Sequence, residues 1–433
     1  MDSVKILIIS QYWAPENGAP QRRWAWLSRE LSKAGHDVLV VAPPPHYNRK
    51  MGFWDWIHVR GYCAQKHIEH GTYGERILRT GFIPAGASLT SRVLNQATVA
   101  LAAITALTRP KLRTGWTPNV VIGTIPALPT AFVTRIVAWG FAVPYILDLR
   151  DPWPDLLESQ REWNAAVGKK SWRERLVGHG PLQILSRLTA EMLNGALRHA
   201  KAILVTTDSL KSELLQREKI RGKKRASDFA VVRNVFPVAG VELVRDVKDS
   251  SSEALHVLYA GTIGRAQDIG TALEAINIAK TRGVTIQFRV VGAGAAKPEV
   301  VKIARDLGID VEVFRRQKPD ELNEHYAWAD TALVSLASWD ALRWAVPSKL
   351  YELMSMRMHI SVVATGEAAD LVRELHAGVA IPPAHPEKLA ETWIALARGE
   401  IDKSVGFEAK TWVQRQTDLS KSNFLKVIGD NRL

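Results

Sequence analysis

The residues of this chain best suited to chemistry are basic side chains set just after glycine turns and after a proline-led helix start. Arg265 stands in the turn Gly261-Thr-Ile-Gly264-Arg265, directly behind the apolar run from His256 to Ala260. A guanidinium there can pair two oxygens of a diphosphate at once. The segment Pro347-Ser348-Lys349-Leu-Tyr-Glu352 is more specific. A proline near a helix start, a hydroxyl at the capping position and a lysine in the first turn present free N–H groups and positive charge together. The lysine opposes the helix dipole, so an anion bound there would relieve a cost. Glu352 follows three residues on, along the same face, where a carboxylate can accept two hydroxyl hydrogen bonds, as a ribose requires. Asp148, Arg150 and Asp151, ahead of Pro152-Trp-Pro154, close another apolar run. They can form an ion cluster, or Asp148 or Asp151 can touch an acceptor. His46, in Pro43-Pro-Pro-His46, follows the second apolar run and so falls on the same ligand side.

The elements that must hold these residues read as alternating strands and helices. Val4–Ser10 is a nearly continuous apolar run, as in strands buried on both faces. A Pro/Asn/Gly turn containing Gly18 and Ala19 follows, then a helix from about Gln21 to Ala34 closed by Gly35, then a strand over 38–42. The second half repeats the scheme with strands over 256–260 and 286–291, the latter ending at Gly292-Ala-Gly294, and a helix over 269–280. Further strands are expected at 120–123, 145–148, 202–206, 332–336 and 360–364. This alternation predicts two Rossmann-like α/β domains with parallel sheets covered on both faces. Ligands of such sheets bind beyond the carboxyl ends of the strands. Two domains facing each other would put both glycine turns on one cleft. Neither turn reads G-x-G-x-x-G, which disfavours a dinucleotide-dependent dehydrogenase.

The chain has 433 residues, more than a single core usually spans. The polar stretch Asp246–Ala254 is the expected linker, and Lys169–Glu174 and Lys219–Asp228 are expected surface loops. One cysteine, Cys63, excludes an internal disulfide and a zinc-cysteine cluster and suits a reducing, cytoplasmic setting. No secretion signal is read at the N-terminus, and the apolar region Val93–Leu107 is too short and polar to span a membrane. Residues 1–250 hold 35 Lys+Arg against 21 Asp+Glu, an excess of +14, whereas the remainder is nearly neutral. Such one-sidedness suggests an anionic partner, and Trp24, Trp26, Trp54, Trp56, Trp116 and Trp139 in the same half suit a membrane interface. No nucleic-acid-binding module is present.

In this order and spacing, the motifs resemble the GT-B-fold retaining glycosyltransferases of family four, in the branch that builds bacterial surface polysaccharides such as colanic acid and O-antigen. The similarity rests on Pro15-Glu-Asn-Gly18-Ala19, Ala34-Gly35-His36-Asp-Val38, Asp148–Pro154, Ala260–Gly264, Val290–Gly294, Pro347–Glu352, and Gly366-Glu367 before the strand Gly378–Pro382. The resemblance implies an N-terminal acceptor domain over 1–248, a C-terminal nucleotide-sugar donor domain over 255–410, and a final helix within 411–433 packing back on the first. It implies that Gly18 and Ala19 approach the donor diphosphate, that Arg265 and Lys349 bind it, and that Glu352 holds the ribose. Gly264, Gly292, Gly294, Phe314, Arg315 and Ser348 then line the donor pocket with Gly366 and Glu367, the base lying against Phe314–Lys318. His46, Asp148 and Asp151 fall on the acceptor side. The expected reaction moves a sugar, with retention, from a nucleotide diphosphate sugar, UDP-linked in this branch, to a lipid-linked or other acceptor hydroxyl. No cofactor or metal is expected, and the location is cytoplasmic or peripheral on an anionic membrane surface. The chain departs from the family pattern at Trp344, where the first of two paired glutamates is usual, with Asp340 only nearby, and at Gln267-Asp268, where a second phosphate-binding lysine is usual. A nucleotide-sugar 2-epimerase of the same fold and a non-catalytic membrane-associated binding protein are the alternatives.

Overall fold

The computed structural model of the protein describes residues 3–16, 18–46, 52–58, 61, 63, 68–84, 89–107, 116–125, 127–152, 181–220, 228–236, 254–317 and 321–429. Of the linker expected at Asp246–Ala254, residues 246–253 lie outside the described residues and Ala254 opens the first strand of the second unit; the basic loop at 169–174 and 221–227 of the second basic loop lie outside the described residues too. The described residues fall into two compact units. One comprises those up to 236 together with 418–429, and the other spans 254–417.

The first unit runs β1 (Lys5–Ile9), α1 (Ala19–Lys33), β2 (Asp37–Ala42), α2 (Phe53–His58), β3 (Ile68–His70), β4 (Arg76–Arg79), α3 (Leu89–Leu107), β5 (Val120–Ile125), α4 (Pro129–Phe141), β6 (Tyr145–Leu149), α5 (Pro181–His199), β7 (Ala202–Val205), α6 (Asp208–Ile220) and β8 (Asp228–Val231). Its eight strands lie in the order β3-β4-β2-β1-β5-β6-β7-β8. Central strands β5, β6 and β7 are buried along their whole length, which is why they read as unbroken apolar runs. All pairings are parallel except β3 with β4 at the edge. The apolar pattern does not announce this hairpin, because β3 has only three residues, none of them buried. Gly35, at φ +77°, follows α1 where a left-handed residue ends a helix without strain. Lys219 and Ile220, expected in a loop, instead complete α6.

The second unit runs β9 (Ala254–Thr262), a 3-10 turn (Arg265–Gln267), α7 (Ile269–Thr281), β10 (Thr285–Ala293), α8 (Lys297–Asp306), β11 (Val311–Phe314), α9 (Leu322–Trp328) and β12 (Thr331–Ser335). It continues with a second 3-10 turn (Asp340–Trp344), α10 (Ser348–Ser355), β13 (Ile360–Val363), α11 (Glu367–Glu374), β14 (Gly378–Ile381), α12 (Pro386–Ala397) and α13 (Glu408–Gly429). Its six strands are parallel in the order β11-β10-β9-β12-β13-β14. The direction of winding reverses between β9 and β12, so the switch point that forms a ligand crevice lies beyond the carboxyl ends of those two strands. Leu273, Ile276, Phe288, Val290 and Trp393 pack the core between sheet and helices.

Helix α13 divides between the units. Trp412, near its start, stacks on Tyr351 of the second unit with ring centroids 6.2 Å apart. Its last turns belong to the first unit. There Lys421 Nζ lies 3.0 Å from Glu30 Oε2, the Arg233 N–H donates to Ser420 Oγ at 3.0 Å, and Phe424 meets Trp24 edge to face. No helix among the described residues is long and apolar enough to cross a membrane.

Candidate functional site

The crevice end of the second sheet collects most of the residues singled out above. Gly264 and Arg265 directly follow β9, Gly292 and Gly294 end β10, Phe314 and Arg315 end β11, and Gly366 and Glu367 follow β13. The stretch after β12 leads through the 3-10 turn to α10, which carries Ser348, Lys349 and Glu352. A backbone hydrogen bond from Ala337 N to Ala266 O, 2.9 Å long, ties the β9 turn to the segment behind β12.

Three side chains meet at the start of α10. Lys349 Nζ donates to Glu352 Oε1 at 2.9 Å and to the Tyr326 hydroxyl at 2.9 Å, and that hydroxyl donates to Glu352 Oε1 at 3.1 Å. Glu352 and Tyr326 are buried and Lys349 half-buried. A lysine and a glutamate three apart on a helix meet readily. Tyr326 comes from α9, 23 residues earlier than Lys349, and no motif in the sequence points to it. Pro347 is itself the helix cap and Ser348 the first helical residue, with no side-chain capping bond. The expected hydroxyl cap is therefore corrected: proline's fixed φ of −60° sets the helix start instead.

Arg265 is exposed on the β9 turn. The two residues that replace the usual second lysine have local duties there. Gln267 Oε1 accepts from the Gly264 N–H at 3.1 Å, and Asp268 Oδ2 accepts from the Thr271 hydroxyl at 2.8 Å. Gly292 and Gly294 are explained by packing, because a Cβ on them would lie 2.0 Å from the carbonyl oxygens of Gly261 and Ile263 respectively. Gly366 has φ +68°, and a Cβ there would come within 2.1 Å of Arg343 O. Trp344 lies in the Asp340–Trp344 turn with the Arg343 guanidinium 5.5 Å from its ring centroid, and Asp340 is exposed.

In the segment after β11 and on α9, polar atoms are buried without hydrogen-bond partners: Gln317 Oε1, Asn323 Oδ1 and His325 Nδ1. The His325 ring packs edge-on against Phe314, with centroids 4.6 Å apart. Burial first, then the nearby Arg289 charge, push the His325 imidazole below its ordinary pKa and keep it neutral.

In the first unit, Gly18 precedes α1 and Ala19 opens it. Gly18 has an ordinary extended backbone, and only the movable end of Gln21 would meet a Cβ there. Asp148, expected on the acceptor side or in an ion cluster, is fully buried. Its oxygens take Arg23 Nη2 at 2.8 Å, Arg23 Nε at 3.2 Å and Trp24 Nε1 at 3.0 Å. It is a core ion-pair residue, and the acceptor-side expectation for it is corrected. Its charge also acts on Arg150 and Asp151, where burial dominates, lowering the Arg150 pKa and raising that of Asp151. His46 is buried between Tyr12 and Phe82. Its Nδ1 lies 3.0 Å from Pro44 O and its Nε2 3.4 Å from Gln11 Nε2. The Pro44 carbonyl can only accept, so Nδ1 carries a proton, while Nε2 also lies 3.3 Å from Asn95 Oδ1; burial pushes the imidazole below its ordinary pKa.

Fold and motif together define the class: a GT-B-type chain. Residues 254–398 match the family "Glycosyl transferases group 1", so the second unit is a group 1 glycosyl transferase domain and the chain is a glycosyltransferase. Along 82% of its length the chain is 22% identical to WcaI, a glycosyl transferase of Escherichia coli (strain K12) named for colanic acid biosynthesis, of which it covers 81%. By fold it is similar to sucrose-phosphate synthase from Thermosynechococcus elongatus, with TM-score 0.66, 14% identity and coverage of 99% and 98% of the two chains. It is also similar to Anabaena HepE, solved with UDP-glucose, with TM-score 0.59, 12% identity and coverage of 99% and 100%.

Proposed function

We propose that the chain transfers a sugar from a UDP-linked donor, with retention, to a lipid-linked or other glycan acceptor in cell-surface polysaccharide synthesis. The observation that carries this reading is the Lys349–Glu352–Tyr326 cluster at the crevice end of the group 1 domain. Support also comes from the UDP-glucose complex of the structural neighbour HepE and from the naming of WcaI for colanic acid biosynthesis. In this reading Lys349 and Arg265 offset the charge that develops on the departing diphosphate, the electrostatic contribution that is usually largest in such reactions. Glu352 accepts from the ribose hydroxyls, and the base lies against Phe314 and the buried His325 packed on it. In this reading the protein's own cations meet the diphosphate, without a metal.

The test is calorimetric titration with UDP, GDP and ADP in EDTA-containing buffer, on the protein and on Lys349→Ala and Glu352→Ala. UDP binds tightest, and each substitution weakens it about tenfold or more, as loss of a charged hydrogen bond implies. Binding of none of the three nucleotides would sink the donor reading. Retention is checked by the anomeric configuration of the product.

A membrane-associated location is part of the same reading, but not through the basic half at large. Trp24 and Trp26 are core residues. Helices α3 and α4 pack side by side and contain no Asp or Glu. They expose Leu94, Leu101, Ile136 and Trp139, the last of these 84% accessible, beside the exposed Arg135. Exposed apolar side chains, an exposed indole and an arginine, with no acid on either helix, suit the interface of an anionic lipid surface.

A further inference from the structure

We infer that Tyr326 is a positioning residue of the donor site: its hydroxyl holds the Lys349 ammonium and the Glu352 carboxylate in the geometry that reads the ribose of a nucleoside diphosphate. The inference rests on the donor reading above and assigns a residue that the motifs quoted from the sequence do not contain.

The geometry is a closed triangle. The phenol accepts from Lys349 Nζ at 2.9 Å and donates to Glu352 Oε1 at 3.1 Å, and Lys349 also donates directly to the same Oε1 at 2.9 Å. The ammonium lies 5.6 Å from the centre of the Tyr326 ring and 2.9 Å from its oxygen, so it meets the hydroxyl end of the ring and not its face. A buried tyrosine needs one partner to satisfy its hydroxyl. This one stands between two charged groups and constrains both. A lysine side chain has several rotatable bonds and a compact charge, so without a second anchor its head is poorly placed. The carboxylate has two oxygens that can exchange by rotation, and two donors on Oε1 fix which one turns to the tyrosine.

Tyr326 also links two parts of the site. It belongs to α9, where Asn323 and His325 bear unpartnered buried atoms and the His325 ring packs against Phe314. Lys349 and Glu352 belong to α10, beyond β12. The helix that follows the base segment therefore reaches the two charged residues through one hydroxyl. Binding a diphosphate draws on the Lys349 ammonium, and the tyrosine bond to Glu352 persists through that exchange, keeping the carboxylate aimed at the ribose diol.

Tyr326→Phe keeps the buried ring and removes only the hydroxyl. The direct Lys349–Glu352 contact remains, so neither charge is stranded, and the fold is expected to hold with an almost unchanged melting midpoint. The experiment compares the wild-type chain with Tyr326→Phe in calorimetric titrations of UDP and of 2′,3′-dideoxy-UDP. The expected result is that the variant loses about tenfold for UDP, the size of one charge-assisted hydrogen bond. It should lose clearly less for the dideoxy ligand, so the preference for the ribose diol narrows. A loose packing defect would weaken both ligands equally, and equal losses overturn the inference, as does an unchanged UDP affinity with an unchanged preference. Wild-type protein that binds UDP, with Lys349→Ala and Glu352→Ala weakened but Tyr326→Phe unaffected, defeats the role of Tyr326 and leaves the donor reading standing. Wild-type protein that binds neither ligand removes the donor reading and this one with it.

Discussion

At the scale of single residues, burial decides which of the candidate groups are available. Asp148 is the next-to-last residue of β6 and His46 follows β2, on the side where ligands are expected, yet both are enclosed by the first unit's own side chains. Asp148 is locked to Arg23 and Trp24. A carboxylate without that guanidinium would be a stranded buried charge, which is why such pairs are costly to break even where they add little net stability. His46 is held neutral by burial, so its pKa lies below the ordinary 6.5. The sign follows from linkage. As the pH falls through about 6.5 the unfolded chain binds a proton that the folded chain resists, so stability is intact above that pH and declines below it. The thermal midpoint of the protein is expected to drop between about pH 7.5 and pH 5.5, and to drop less in His46→Gln. An identical pH slope in the two proteins would contradict the assignment. His325 acts in the same sense in the second unit, so part of the slope survives the substitution.

At the scale of elements, the second unit explains its glycines by close approach. Gly366 is the clearest case, since it combines a φ of +68° with a backbone carbonyl 2.1 Å from where a Cβ would sit. It seats the start of α11 against the turn Asp340–Trp344, whose Arg343 carbonyl it touches. Alanine at this position meets both a disfavoured conformation and a clash. It is expected to destabilise the unit by about 2 kcal/mol or more, measured as a lower urea midpoint with unchanged slope. An unchanged midpoint would show that the turn yields freely. Most elements were legible from the chain itself. The strands foreseen at 256–260, 286–291 and 360–364 appear at Ala254–Thr262, Thr285–Ala293 and Ile360–Val363, because a strand buried on both faces must be apolar throughout. The edge hairpin β3–β4 was not legible, since an exposed edge strand carries no such pattern. The helix start at Ser348 was legible from Pro347, whereas the partner of Lys349 and Glu352 across from it was not.

At the scale of the whole molecule, the membrane location proposed above rests on the apolar, acid-free helices α3 and α4. In a vesicle co-sedimentation assay the protein is expected to bind phosphatidylglycerol-containing vesicles and not purely zwitterionic ones, with binding lost as salt rises. Leu101→Glu and Trp139→Glu place acids on side chains 63% and 84% exposed, where folding is little affected, and each is expected to reduce binding several-fold. Equal binding by both variants would move the contact elsewhere on the protein. The last helix has a molecular-scale role of its own, because its start is grouped with the second unit and its end with the first. Periodicity can announce such a helix but not where each turn of it packs.

By itself the sequence determined the two α/β units, the order of most strands and helices, and the basic turns at strand ends. These follow from local rules: unbroken apolar runs for buried strands, glycine and proline where the chain turns, and charge where an anion can sit. The tertiary structure alone decided which charged residues are consumed by the core and which meet one another. Asp148 met Arg23 across 125 residues, and Tyr326 met Lys349 across 23, because the fold of each unit brings segments distant in the chain together. Such contacts depend on topology, which periodicity along one chain does not encode.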